Sequence, residues 1–325
     1  MKWLKVFEKI YHFISGSKNA LYENQVLQSA KLSVPVVSIG NLSFGGVGKT
    51  PCILMLAHEF KQTHQINVVC RSYKADLKVA KKVDLSQPNA SRIFGDEACM
   101  LKSKLPFCNV WSGPQKLETA KASLIDNPTL ILVDDGFSHR KLHRNFDLVL
   151  IDATVGFDTY LRESQKNLTR ASAVMITKIN MAQKISVDKI QEKIFQLAPN
   201  LKNQTFTSSV KTTIAVDKAN PIVVFCALAR PETFVQDLEQ QGYTILEKIN
   251  FADHHAYSDL DQKKIFAKYL DLKNTNRGLK IVTTEKDAVK LTHAELKANV
   301  VVAEHSMYLE EIVKEALIEK IRKAL

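Results

Sequence analysis

The stretch "SIGNLSFGGVGKTP" (38–51) constrains the fold more than any other part of this chain. A β-branched run, "VPVVSIG" (34–40), leads into it and reads as a short buried strand. "TPCILMLAHEFKQ" follows as an apolar-periodic helix, with Pro51 in the first turn, where its missing N–H is tolerated. Between them Gly45, Gly46 and Gly48 allow the backbone to turn its N–H groups around an anion. Lys49 is spaced to reach β- and γ-phosphates and Thr50 to ligate Mg²⁺. The expected cradle is therefore Ser43, Phe44, Gly45, Gly46, Val47, Gly48, Lys49 and Thr50. The phosphate-loop pattern G-x-x-x-x-G-K-[ST] carries glycine at the first position, where this chain has Ser43. A small residue suffices there if the turn does not need a positive φ. Strand, glycine-rich loop and helix in that order predict a nucleotide site, reinforced by the positive end of the helix dipole.

Further strands follow one grammar, an apolar run ending in a polar residue: "INVVCRS" (66–72), "TLILVDDG" (129–136), "FDLVLIDAT" (146–154) and "AVMITK" (173–178). Alternating with helical segments, they predict a parallel α/β sheet of the P-loop NTPase type, with ligands beyond the carboxyl ends of its strands. "LVDDG" matches a Walker B strand, delivering Asp134 and Asp135 as hard oxygen ligands for Mg²⁺. Strand alternation sends the two side chains to opposite faces, so one need touch the metal directly. Residues 200–220 loosen into a polar, threonine-rich connector, and a second, smaller α/β unit begins at "IVVFCALARPETF" (222–234). A charged helix is expected at 309–324. The expected division is an N-terminal segment 1–32, a P-loop core 33–205 and a C-terminal α/β domain 206–325.

The 325 residues carry a formal net charge of +11, which favours an anionic partner. The basic residues are dispersed, and no aromatic-interleaved RNA motif or zinc-finger spacing occurs, so nucleic acid is not expected. Cys52, Cys70, Cys99, Cys108 and Cys226 form no C-x-x-C pair, consistent with a reducing compartment, no disulfide framework and no zinc site. No apolar run reaches eighteen residues, so no transmembrane helix is expected. "MKWLKVFEKIYHFI" places Trp3, Val6, Phe7, Ile10, Tyr11 and Ile14 at helical spacing among Lys2, Lys5, Glu8 and Lys9. Such an amphipathic helix either packs on its own domain or lies on an anionic leaflet. Helical patterning continues to about residue 30.

A switch GTPase is disfavoured, because the strand gives D-D-G and "TKIN" places Asn180 where a guanine-reading carboxylate belongs. A kinase needs a group to accept a hydroxyl proton. "RIFGDEACM" offers Asp96 and Glu97, and "NFADHHAYS" offers Asp253, His254 and His255. On pattern alone an Asp-Glu pair is more often a helix cap or a solvated face than a catalytic group, and an Asp-His-His triplet is more often a surface feature.

The combination is more specific than its parts. "GNLSFGGVGKTP", "CRSYK", "FGDEACML", "LVDDGFSHRKLHRNFDLVLID", "YLRE", "FCALARPETF", "FADHHAYS" and "TTEKDAVKL" occur in the order that resembles the tetraacyldisaccharide 4′-kinases, the lipid A 4′-kinases. The resemblance runs from the N-terminus to about residue 291. Serine or threonine at the first loop position is a trait of that family. The resemblance implies ATP-dependent transfer of the γ-phosphate to the 4′-hydroxyl of a tetraacyldisaccharide 1-phosphate, giving lipid IVA. It implies Asp96 as catalytic base with His254, chosen over His255, as its partner. It further implies ATP and Mg²⁺ as cofactors, with Thr50, Asp134, Asp135 and, more weakly, Glu163 at the metal. Arg71, Tyr73, His139, Arg140 and Arg162 suit the disaccharide and its 1-phosphate, since arginine reads phosphate bidentately. A lipid acceptor turns the N-terminal helix toward membrane contact. The expected setting is the cytoplasmic face of a bacterial inner membrane, held peripherally or monotopically as a monomer.

Three positions depart from the family pattern: Arg71-Ser72-Tyr73 stands for R-G-Y, Phe137-Ser138-His139 replaces the usual x-Q-H, and Ala227 stands near a usual glycine. Neither Ser72 nor Ser138 touches the phosphate machinery. The alternatives are a soluble P-loop ligase or carboxylating enzyme of the dethiobiotin-synthetase type, and a nucleotide-gated binding protein with no phosphoryl acceptor.

Overall fold

Strands that are apolar on both faces can be buried only between two layers of helix, and the buried runs of this chain form such a sheet. The computed structural model describes residues 21–325 except 23, 25, 44, 73, 74 and 254. The large sheet contains β1 (Val36–Asn41), β2 (Ile66–Arg71), β3 (Lys81–Lys82), β4 (Asn109–Gly113), β5 (Leu130–Asp134), β6 (Phe146–Asp152), β7 (Ala173–Thr177) and β8 (Thr205–Thr207). Their order is β3-β4-β2-β5-β1-β6-β7-β8. Every pairing is parallel except the short antiparallel edge β3–β4. Strands β1, β5, β6 and β7 are buried along their whole length. Around the sheet lie α1 (Lys49–Phe60), α2 (Ala90–Phe94), α3 (Asp96–Lys104), α4 (Lys116–Ser123) and α5 (Lys184–Leu197). The central strand β1 separates β5 from β6, so the loop after it opens at the switch point where α/β sheets bind ligands.

The second sheet is smaller: β9 (Ser209–Thr213), β10 (Ile222–Cys226), β11 (Ile245–Asn250), β12 (Lys280–Thr284) and β13 (Val300–Tyr308), in the order β11-β10-β12-β13-β9. Helices α6 (Pro231–Gln240), α7 (Asp259–Thr275), α8 (Glu285–Ala288) and α9 (Ala294–Asn299) accompany it. A capping box starts α7, with Asp261 N–H donating to Ser258 Oγ at 3.1 Å and Ser258 N–H to Asp261 Oδ2 at 3.0 Å.

Sheet membership changes at Ser208, between β8 and β9, so the polar stretch expected as a connector supplies an edge strand to each sheet. The chain returns after β13, which lies antiparallel to β9. Its last helix, α10 (Glu311–Ala324), is not part of the smaller domain's core. Leu317, Ile318 and Ile321 on α10 are buried in the same cluster as Ile53 and Phe60 of α1. Lys314 also pairs with Glu59 at 3.1 Å. Apolar spacing made α10 recognisable as a helix, but the face that accepts it belongs to the other sheet.

The amphipathic N-terminal helix lies outside the described residues. Residues 21 and 22 are helical, but the helical pattern does not continue to 30. Ala30 N–H donates to Lys141 O at 2.8 Å and His143 N–H to Ala30 O at 2.9 Å, which draws the segment into extended backbone beside residues 141–143. Among the described residues no helix is long and apolar enough to cross a membrane.

Because Ile321 is fully buried against the large sheet's helical layer, Ile321→Ala is expected to cost about 2–5 kcal/mol of unfolding free energy. Urea denaturation read by far-UV circular dichroism checks this, and a cost below about 0.5 kcal/mol would remove α10 from the core.

Candidate active site

The loop between β1 and α1 takes its shape from two glycines, Gly45 at φ 112° and Gly48 at φ 93°. Both values lie where side-chain-bearing residues are strained. Ser43 is not among the residues with positive φ, so a Cβ is tolerated at the first loop position. It instead forms an antiparallel bridge with Leu161. Gly48 is the N-cap of α1, with no side-chain cap and no acidic residue in the first turn. The first N–H groups of α1, including those of Lys49 and Thr50, are therefore directed at an incoming anion. Val47 is buried, and its carbonyl accepts a hydrogen bond from Thr177 Oγ1 at 2.9 Å. Lys178 Nζ donates to Gly46 O at 2.7 Å and pairs with Asp152 at 2.6 Å. The Thr-Lys pair after β7 thus fastens the loop from its side, a role invisible in the spacing of "TKIN". Phe44 lies outside the described residues.

Asp135 faces this loop because strand geometry stops one residue earlier than alternation implies. Its φ is 55°, a left-handed conformation that aspartate adopts more readily than most residues. The turn brings its carboxylate to Lys49 Nζ at 3.5 Å and Lys116 Nζ at 3.8 Å. The Arg162 guanidinium grips both carboxylate oxygens, with Nη1 to Oδ2 at 2.7 Å and Nη2 to Oδ1. Asn41 completes the cluster: its Oδ1 accepts from Lys49 Nζ at 3.2 Å and from Arg162 Nη2, while its Nδ2 donates to Ser43 O at 2.6 Å. Arg162 is set in place by its own N–H, which donates to Leu42 O at 2.8 Å.

Burial opposes ionisation of Asp135, but the Arg162 hydrogen bonds and the charges of Lys49 and Lys116 outweigh it and hold the carboxyl well below its usual range. Asp134 behaves oppositely. Burial, with Glu97 nearby, pushes its carboxyl up to about 7 despite Lys49. Its Oδ1 is buried without a hydrogen-bond partner. Burial also lowers Lys116, against the pull of Asp135 and Asp134, and takes His139 down to about 3, so His139 is neutral at physiological pH. Lys178 is the polar residue that ends "AVMITK", whereas Asn41 and Lys116 belong to no motif that would mark them in the sequence.

Asp96 occupies the first turn of α3, after Gly95 at φ 95°. Its carboxylate meets Lys290 Nζ, from the smaller domain, at 3.3 Å. Glu97 faces Lys286 Nζ at 3.8 Å, and Asp253 lies 4.0 Å from the same ammonium. The Asp253 end of the "ADHH" loop is therefore brought to α3. His254 and Tyr73 lie outside the described residues. His255 is engaged elsewhere: its Nε2 lies 3.0 Å from Asp261 Oδ2 and its ring stacks on Phe251 at 4.7 Å.

The remaining expected residues separate into groups. Glu163 is buried, its Oε2 accepting from Arg170 Nη2 at 2.9 Å and from Asn167 Nδ2. Arg71 is exposed at the end of β2, and its charge reaches His139. Arg140 lies over the Tyr22 ring at 5.0 Å. Arg162, expected at the disaccharide, donates to Asp135 and Asn41 beside the phosphate loop.

Comparison with known proteins adds the chemistry. The LpxK family, described as tetraacyldisaccharide-1-P 4′-kinase, matches residues 1–323. A tetraacyldisaccharide 4′-kinase of Bdellovibrio bacteriovorus is 33% identical over 312 residues, covering 89% of each chain. The protein of the same name from Koribacter versatilis is 32% identical over 290 residues, covering 85% of this chain and 84% of its own. A crystal structure of LpxK from Aquifex aeolicus in complex with ATP is similar at a TM-score of 0.73 and 25% identity, covering 99% of this chain and 98% of that one.

The raised Asp134 carboxyl carries a stability signature. Between its unfolded value of 3.8 and about 7 the native state holds a proton that the unfolded state has lost. This group alone therefore makes stability fall as pH rises through that window, with no further slope above it. The stability of metal-free Asp134→Asn relative to wild type is expected to grow between pH 5 and 7 and then level off. Thermal unfolding across that range checks it, and a pH-independent difference would contradict the protonated, desolvated state.

Proposed function

This chain belongs to the tetraacyldisaccharide 4′-kinase family, and on that premise we propose how its own residues carry out the reaction. It is an ATP-dependent kinase of lipid A biosynthesis, phosphorylating the 4′-hydroxyl of a tetraacyldisaccharide 1-phosphate. The soluble ligase reading is not favoured, since the family match spans both domains.

In our assignment the N–H groups from Gly45 to Thr50 cradle the β- and γ-phosphates, with Lys49 on the terminal oxygens. The observation that carries this is the convergence of Lys49, Lys116 and Arg162 on Asp135 at the mouth of the loop. A cationic array there matches the charge that spreads over the γ-phosphoryl oxygens during transfer. We move Arg162 from the disaccharide to this phosphate end because its guanidinium already lies there.

Mg²⁺ fits the residues present. Asp134 offers a buried carboxylate oxygen without a partner, and Thr50 a hydroxyl at the start of α1. Among the described residues no three His, Cys, Asp or Glu side chains form a metal cluster. Mg²⁺ is commonly held by one or two carboxylates together with substrate phosphates and water. When bound it would neutralise phosphate charge beside Asp134, with Asp135 orienting the surrounding cations. Glu163 we assign to the buried Arg170 pair rather than to the metal.

Asp96 then serves as the base. It takes the proton of the 4′-hydroxyl as that oxygen bonds to the γ-phosphorus, and the bond from the γ-phosphorus to the β–γ bridging oxygen breaks to release ADP. His254 is assigned as its partner, with the engagement of His255 by Asp261 favouring that choice. Arg71, Tyr73, neutral His139 and Arg140 are assigned to the disaccharide and its 1-phosphate. The net charge of +11 and the amphipathic pattern of residues 2–14 support peripheral or monotopic attachment to an anionic leaflet; we assign the protein to the cytoplasmic face of the inner membrane as a monomer.

Phosphoryl transfer from γ-labelled ATP to tetraacyldisaccharide 1-phosphate in detergent micelles tests the assignment. Asp96→Ala is expected to lower kcat by about 10²–10⁴-fold, with ATP affinity within about twofold of wild type. Wild-type turnover by the variant would exclude Asp96 as the base.

A further inference from the structure

Residues of three separate strings, "CALARPETF", "AYS" and "TTEKDAVKL", meet behind Asp96. Asp287 of α8 is completely buried. Its Oδ2 accepts from Ala227 N–H at 3.0 Å and from Thr284 Oγ1 at 2.7 Å. Its Oδ1 faces Lys290 Nζ at 3.1 Å. The Lys290 side chain is 5% exposed, and its ammonium also lies 5.6 Å from the centre of the buried Tyr257 ring. From there it reaches across the domain junction to Asp96 Oδ2 at 3.3 Å. A buried lysine has few alternative positions, and Asp287 is itself fixed by backbone and hydroxyl donors. The Asp96 carboxylate is thus referenced to the frame of β10 and β12 through one ammonium.

Two further lysines tie α3 to the same junction. Lys104, in the last turn of α3, pairs with Glu285 at 2.6 Å and Glu304 at 2.7 Å. Lys286 of α8 lies 3.8 Å from Glu97. Both ends of α3 are therefore held by charges around α8, with Lys290 at the end that bears Asp96.

We propose that Lys290, anchored by Asp287, is a positioning residue for phosphoryl transfer: it crosses from the smaller domain to hold the Asp96 carboxylate in the orientation needed to take the acceptor proton. The proposal rests on the assignment of Asp96 as the base. Its physical content is geometric, because misplacing a reacting group by about 1 Å can cost about 10²-fold in rate.

The informative variant is Lys290→Met combined with Asp287→Asn, which removes both buried charges together and leaves an amide oxygen for Ala227 N–H and Thr284 Oγ1. With γ-labelled ATP and tetraacyldisaccharide 1-phosphate in micelles, kcat is expected to fall about 10–100-fold. KM for ATP should stay within about twofold. Lys290→Arg with Asp287 intact keeps the charge and should lose less than about half as much kcat, on a logarithmic scale, as the charge-removed variant. In an Asp96→Asn background the same double change should lower kcat by less than about threefold, since the group it positions is gone. Retention of kcat within about twofold by the charge-removed variant, or an equal loss with and without Asp96, would overturn the role of Lys290. If Asp96→Asn itself keeps wild-type kcat, the base assignment fails, and this proposal fails with it.

Discussion

The carboxylate of Asp135 lies among Lys49, Lys116 and Arg162, and the geometry of the phosphate site depends on that meeting. Three cations packed this closely repel one another, and one of them, Lys116, is buried where an ammonium is poorly solvated. A single anion at their centre makes the arrangement tolerable. The left-handed turn at Asp135 places it there. An adjacent carboxylate, Asp134, remains deeper and without a partner for Oδ1. One aspartate is committed to ordering cations and the other is left with coordination capacity, so two neighbours in sequence acquire opposite proton affinities. Divergent environments of this kind often accompany a division of chemical labour.

The second constraint is the junction between the sheets. The chain crosses it at Ser208 and again after Tyr308, and the antiparallel pairing of β9 with β13 joins the two crossings. At this junction the charges of α8 and its flanks face those of α3. Surface ion pairs generally contribute little to stability. The contact made by Lys290 differs because its side chain is buried and its anchor, Asp287, is fully enclosed. Through it the first turn of α3, which bears Asp96, is tied to the frame of the smaller sheet.

Family membership and local geometry answer different questions. The match over residues 1–323 supplies the reaction. It does not say which arginine serves phosphate and which serves sugar. Arg162 and Glu163 are adjacent in "LRE", yet the first turns to Asp135 and the second to Arg170 inside the core. Their backbone amides both bond to Leu42 O, so the end of β1 determines where each side chain begins.

The sequence alone determined the nucleotide loop and the strands that flank it, and the order of its motifs carried the family resemblance. The loop and strands rest on local chemistry: glycine where φ must be positive, lysine and threonine at fixed offsets, and apolar runs that must be buried. It also made Ser43 acceptable, and the backbone there is free of the left-handed conformation that would have required glycine. Tertiary structure decided the rest. Asp135 faces the loop because a turn interrupts strand alternation, Asn41 and Lys116 enter the site through sheet order, and α10 packs on the opposite domain from the strand before it. Lys290 meets Asp96 although 194 positions separate their numbers (290 − 96). Periodicity reports which face of an element is buried; it carries no information on which distant element will bury it.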